Sequence, residues 1–430
     1  MFAACVAGDT TGVPVKRQDT AWSVPLLELT ISEVIGRYPG TLPVFTANGL
    51  ALFADEATRA TFGAAVRLRT ALKAAGINAD LFTRLLLEAM TAATSRRDGP
   101  SDLRSAHGNL NLFALLPCPL KIPLEEAFNG FLSALPAEQR AGLTFCIEGN
   151  ANNQLDYADY ADHFETLSDM PDIIITPGFN SFFHPRFVER FIKTGQFTSV
   201  TSFAGDRHLA ALGIIDPDGH YSMLAMNLLV LVVDQTRLGD RPVPRTWEDL
   251  LNPVYAKSIA IRGNRDGTFC ETLLLSLYQE FGADGLVRLG RNVAWGWHPS
   301  QMVKAAGSGR EETPAISVMP LFFANTISRR DHVSIVWPGD GALVSPVTML
   351  VKTDKREELR DLIAFLNGPE VAGICAGAAF PALHPTVDNR LPDSATFKWI
   401  GWDYVKNHDL KTLIAATNAA FVSAFQGGAA

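Results

Sequence analysis

"RTWEDLLNPVYAKSIAIRGNRDGTFCETLLLSLYQEFG", residues 245–282, is the stretch on which the reading of this chain turns. A tryptophan and paired leucines lead into the turn formers "NP", and the apolar run in "SIAIRG" then reads as a short buried strand. Glycine-rich "GNRDG" follows. After it, "FCETLLLSLYQEFG" sets apolar residues at helical spacing up to a closing glycine. Strand, glycine turn and helix in that order make up part of a βαβ unit.

The alternation continues on both sides. "NLNLFALL", "LTFCIEG", "DIIITPG", "AISVMP", "VSIVWPG" and "ALVSPVTMLVK" are strand-like, while "PLEEAFNGFLSAL", "PRFVERFIKTG" and "REELRDLIAFLNG" are helical. This predicts α/β architecture with mainly parallel pairing, two such sheets lying within residues 108–430.

Upstream the periodicity is helical throughout. In "LLELTISEVIGRYPG" Thr30 is placed to cap a helix, with Glu33 three residues on completing a capping box. "EATRATFGAAVRLRTALKAAGINADLFTRLLLEAM" gives two helices divided at "GIN". The reading is an N-terminal segment (1–25), an all-helical domain (26–93) and a polar linker, "TSRRDGPSDLRSAHG" (94–108).

With 430 residues, 19% of them charged, and a net charge of −8, no broad phosphate-binding surface stands out, and nucleic acid is not an expected partner. The longest apolar stretch, "YSMLAMNLLVLVVD" (221–234), falls short of the roughly 20 residues that span a bilayer and reads as one or two buried strands. The start, "MFAACVAGDTTGVPVKRQD", has neither the basic nor the apolar region of a secretory signal, so a cytoplasmic protein is expected. The alternative is a periplasmic protein whose native signal was removed. "FAAC" around Cys5 superficially resembles a lipoprotein cleavage box. Five cysteines, widely spaced and without CxxC, indicate neither a disulfide framework nor a zinc knuckle.

The order Trp-Glu-Asp-Leu, "NP.Y.K", strand, glycine loop and helix in 245–282 resembles the second lobe of the type 2 periplasmic binding proteins. These are the solute receptors of ABC importers, and the resemblance is to their ferric-iron and phosphonate-like branch. "MPDIIITPGFNSFF" and "ALVSPVTMLVKTDKREELRDLIAFLNGPEVAGICA" resemble other parts of the same family, so the likeness covers about residues 108–400. It implies two α/β lobes joined by two crossover strands, at "YSMLAMNLLVLVVD" and "GALVSPVTMLVK". Lobe 1 would then be 109–225 with 345–430, and lobe 2 would be 226–344. "TISEVIGRYPGTLPVFTANGL" resembles a small helical domain of unknown function whose members commonly carry a cysteine pair where this chain has "ANGLALFADE". That domain is expected to dock a protein partner.

In open α/β sheets ligands sit beyond the carboxyl ends of strands, which selects the loops to examine. "PCPLK" offers Cys118 and Lys121, "IEGNANNQ" offers Gly149 and Asn150, and "PGFNSFFH" offers Asn180 and Ser181 before a helix start. In the second lobe, "GNRDGTFCET" offers Gly267, Thr268 and Cys270, the last expected in the first helical turn, where the dipole favours thiolate. His298 sits between tryptophans and a helix start, and His384 lies on a late loop. Cys146 and Cys375 read as core. Where the ferric-binding branch commonly has adjacent tyrosines, this chain has Phe322 and Phe323.

Two ligand classes follow. Cys118, Cys270, His298 and His384 suit a soft transition metal, an iron–sulfur cluster or a metal complex. Lys121, Asn150, Asn180, Ser181 and the Gly267–Thr268 turn suit a small anion. No GxSxG, HExxH, P-loop or GxGxxG fingerprint occurs, so the enzyme alternative rests on Cys118 with His298 alone. The expected function is a ligand binder closing two lobes on a small solute, as carrier, sensor or transport receptor, with a membrane permease as partner if exported.

Overall fold

The computed structural model of the protein describes residues 23–427 apart from 49, 76, 78, 80, 81, 84, 87–89, 91–109, 150–159, 202–208, 210, 211, 264–266, 311 and 329. Asn150, Cys5 and the linker 94–108 lie outside the described residues, as does nearly all of the N-terminal segment.

The helical domain forms around Ile31, Val34, Phe45, Phe53, Leu68 and Leu72, all buried. Its capping box is as the sequence requires: Glu33 N donates to Thr30 Oγ1 at 3.2 Å, and Thr30 N donates to Glu33 Oε2 at 2.7 Å. The helix expected to run through residues 56–74 is broken before Leu68. There the chain straightens to pair with the start of the domain, Leu68 N donating to Leu29 O at 2.8 Å and Ile31 N to Val66 O at 3.1 Å.

Beyond the linker, eleven strands among the described residues form one sheet that runs through both lobes. They are β1 (Leu112–Leu116), β2 (Phe145–Gly149), β3 (Ile173–Pro177), β4 (Phe197–Thr198), β5 (Ser222–Asp234), β6 (Ile259–Arg262), β7 (Val293–Trp297), β8 (Ile316–Pro320), β9 (Val333–Val336), β10 (Ala342–Lys352) and β11 (Phe397–Lys398). The main order is β2-β1-β3-β10-β5-β8-β6-β7. β1, β2 and β3 pair in parallel, and so do β6, β7 and β8. These two trios are the lobes.

Between them lie β5 and β10, antiparallel to each other and to the trio strands they meet, β8 and β3, so the expected two sheets are one sheet joined through its crossovers. "YSMLAMNLLVLVVD" is accordingly a single strand, almost wholly buried, as an unbroken apolar run in the middle of a sheet should be. The helices Cys118–Ala134 and Pro369–Gly377 cover the first trio, burying Leu120, Leu124, Phe128, Val371 and Cys375 in one core. The long helix Glu271–Asn292, broken at Gly282, serves the second trio.

The final helix, Leu410–Gly427, is shared between cores: Leu410 at its start is buried in the cluster that holds Tyr221 and Trp402, and Phe421 further on is buried in the core of the second lobe. Phe421 meets Phe269 edge-on at 4.7 Å, and a Cβ on Gly290 would stand 2.8 Å from Ala424 Cβ, so the two helices touch at a glycine.

Candidate ligand cleft

A cleft of about 520 Å³ opens where the carboxyl ends of the two parallel trios face each other. Its floor is the crossover pair. Asn227 of β5 and Ser345 of β10 are register partners there, and both line the cleft. Asn227 Oδ1 is buried and has no hydrogen-bond partner among the described residues. A buried acceptor left unmade costs about 1–3 kcal/mol, so it marks a place where a donor belongs.

Over this floor the lobes meet. Arg262 ends β6 and Glu271 begins the helix that follows; both line the cleft, and Arg262 Nη2 donates to Glu271 Oε2. The other carboxylate oxygen, Oε1, reaches the first lobe, where a Cβ on Gly178 would stand 3.2 Å from it. Gly178 also has φ +73°, in the region glycine tolerates best, and its N–H is held by Pro346 O at 2.7 Å. Close approach and backbone conformation therefore both call for glycine at the seam.

Cys270 is the N-cap of that helix rather than a residue of its first turn, and it is buried. Burial pushes its thiol above the ordinary value; Arg262 pulls it down and Glu271 pushes it up again. The thiolate expected from the helix dipole is thus not favoured. His298 caps the helix Pro299–Ala305, with Nδ1 2.7 Å from Ser300 Oγ and accepting from Ser300 N at 3.2 Å, while its ring meets Phe323 edge-on. Burial, and secondarily Arg262, pushes the His298 pKa down to about 4, so the imidazole is neutral at physiological pH. Phe322 and Phe323 line the same wall.

Of the residues expected from sequence, Cys118, Cys270 and His298 line this one cleft. The others are placed differently. Lys121 is the charge set beside Glu148, whose carboxyl is raised by burial and lowered again by Lys121. Gly149 is a ladder residue paired with Leu116. Asn180 folds back on its own turn, donating to Thr176 Oγ1, Pro177 O and Gly178 O and accepting from Phe182 N. Ser181 is fully buried and accepts from Ala161 N at 2.9 Å.

The Gly267–Thr268 turn is held by the final helix. Asn418 Nδ2 donates to Gly267 O at 3.0 Å, and Phe269 N donates to Asn418 Oδ1 at 2.9 Å. His384 sits in a turn with Thr386, outside the cleft wall. Among the described residues no group of three or more His, Cys, Asp and Glu is arranged to hold a metal ion. Cys146 and Cys375 are core, and burial pushes the Cys375 thiol up to about 12.

Residues 168–408 match the model of a family described as bacterial extracellular solute-binding protein. Residues 27–83 match a domain of unknown function (DUF1858). No curated protein matches the sequence. Among solved structures, iron-bound HitA from Pseudomonas aeruginosa is similar at 15% identity and TM-score 0.51, over 72% of this chain and 98% of that one. The Trichodesmium protein IdiA (FutA), in complex with iron and citrate, is similar at 15% identity and TM-score 0.50, over 73% and 98%. So is a two-component system protein that mediates signal transduction, at 15% identity and TM-score 0.50, over 72% and 99%. At such identities the likeness is one of fold: two lobes of the type 2 periplasmic binding kind, preceded here by a helical domain.

Proposed function

The chain belongs to the bacterial extracellular solute-binding proteins, and on that footing we propose that its cleft closes on a small, net-neutral organic solute carrying an N–H or O–H donor. One observation carries the choice of ligand: the buried Oδ1 of Asn227 on the cleft floor, which has no hydrogen-bond partner among the described residues. A donor from the solute removes the cost of that unmade bond, and contacts to both lobes then favour the closed arrangement.

The charge of the walls supports neutrality. Arg262 is balanced by Glu271, His298 is uncharged, and Cys270 is a thiol. A bare oxyanion finds no unpaired cation among the described cleft residues. A metal ion finds no ligand group there, and phenylalanines stand at 322 and 323. His298 Nδ1, one of the two nitrogens that a Cys118–His298 enzyme could use as a base, is taken up by Ser300.

Among the described residues no helix is long and apolar enough to cross a membrane. The family's description favours an exported receptor over the cytoplasmic expectation, and such a receptor would deliver its solute to a membrane permease.

The test is calorimetric titration of the whole chain with three probe sets: neutral amides, polyols and zwitterionic amino acids; citrate and inorganic phosphate; and ferric citrate. A member of the first set should bind, and Asn227→Leu should weaken it about tenfold or more. Tight binding of citrate, phosphate or ferric citrate that is indifferent to Asn227→Leu sinks this assignment.

A further inference from the structure

The N-terminal helical domain reaches the same cleft. Leu85, in a helical stretch of that domain, lines it together with Pro117, Pro119 and Pro123 of the first lobe and Pro299 of the second. The domain is anchored a short distance away on the helix Pro299–Ala305. Ser300 Oγ donates to Asn48 Oδ1 at 2.6 Å, and Lys304 Nζ donates to Asn48 O at 3.3 Å. The orientation of the Asn48 amide is set by its other end, Nδ2 donating to Val44 O at 2.7 Å.

This anchor touches the site chemically as well as sterically. Ser300 Oγ lies 2.7 Å from His298 Nδ1, and a hydroxyl has a single proton, so Asn48 and His298 compete for it. Lys304 is half-buried at the contact; burial, then Arg310, pushes its ammonium below the ordinary value, as expected of a lysine partly covered by a docked surface.

We infer that the helical domain is a third wall of the ligand site, docked on the second lobe through Asn48 and covering the cleft with Leu85. This rests on the reading of that cleft as the ligand site. Asn48 is a positioning residue acting through Ser300, and Leu85 bounds the space a solute can fill.

Cysteine labelling of the full-length chain, in a Cys5→Ser background, tests the wall without any ligand. Cys118 is a partly exposed cleft thiol, whereas Cys146 and Cys375 are fully buried and report unfolding. With a bulky polyethylene-glycol maleimide and peptide mapping, Asn48→Leu should speed Cys118 labelling about fivefold or more while Cys146 and Cys375 stay unlabelled. Leu85→Ala should speed it too, and Leu85→Trp should slow it.

Unchanged Cys118 labelling in both Asn48→Leu and Leu85→Ala overturns the inference. If Asn48→Leu also exposes Cys146 and Cys375, that variant has unfolded and Leu85→Ala alone decides. Faster Cys118 labelling in a chain that binds no solute of any probe set overturns the receptor reading instead, so the two failures are distinguishable.

Discussion

His298 shows how one side chain ties stability to the site. Its Nδ1 accepts from Ser300 N at a helix start, and burial with Arg262 nearby holds its pKa at about 4 against an ordinary 6.5. Between those values the unfolded chain takes up a proton that the folded one refuses, so stability falls as pH drops through that window. The stabilisation is fully present above pH 6.5 and gone below about 4. The loss should be on the order of 3 kcal/mol. His298→Asn keeps a capping acceptor and removes the titration; urea unfolding from pH 7 to pH 4 should show the wild type losing that much more than the variant. Site residues were only partly legible in sequence at this scale. Strand order carries Cys118, Cys270 and His298 to one cleft, but it does not say which way a loop side chain turns. Asn180 closes its own turn and Ser181 is tied to Ala161 N, so neither lines the cleft to which its place after a strand assigns it. Asn227 does carry a signal in sequence: it is the one amide inside "SMLAMNLLVLVVD", and a lone amide in a buried apolar strand needs a partner.

Elements were more legible than side chains, because period and punctuation carry them. The capping box at Thr30 and the long buried strands β5 and β10 are where pattern places them, whereas the break before Leu68 comes from pairing with Leu29, a contact no local pattern encodes. The helix Cys118–Ala134 is the element where rule and structure strain against each other. It follows Pro117, holds Pro119 at its second position, and contains Pro123 in its interior. A proline at the start of a helix costs little, but Pro123 has no N–H to offer the carbonyl of Pro119. Both rings line the cleft, which gives the sequence a use for them there. Pro123→Ala should therefore raise stability in urea unfolding by about 1–2 kcal/mol, less than the full interior-proline penalty because alanine also frees the unfolded chain. The same variant should bind solute more weakly in calorimetry, since the wall loses a ring. A variant both less stable and unaltered in binding would remove this account of the helix.

At the scale of the whole molecule, the fold was legible because its order is long: strand, turn and helix repeated through both lobes, with the two longest apolar strands standing at the crossovers. The final helix lies outside that logic, since nothing in "LKTLIAATNAAFVSAFQG" names the cores it enters; Gly290 and Phe269 mark one of them, from far upstream. The same scale separates the ligand classes by electrostatics. The chain carries a net charge of −8, so an anion approaches against the overall field and a cation with it, and salt screens both effects. A net-neutral solute meeting the balanced Arg262–Glu271 pair feels neither to first order. Its affinity should change by less than about twofold between roughly 0.05 and 0.5 M sodium chloride, where a Debye length shrinks from about 14 to 4 Å. An anionic ligand would instead gain affinity as salt screens the repulsion, and a cationic one would lose it. Calorimetric titration across that range reads the sign directly, and a steep slope in either direction would contradict a neutral ligand while leaving the two-lobed receptor intact.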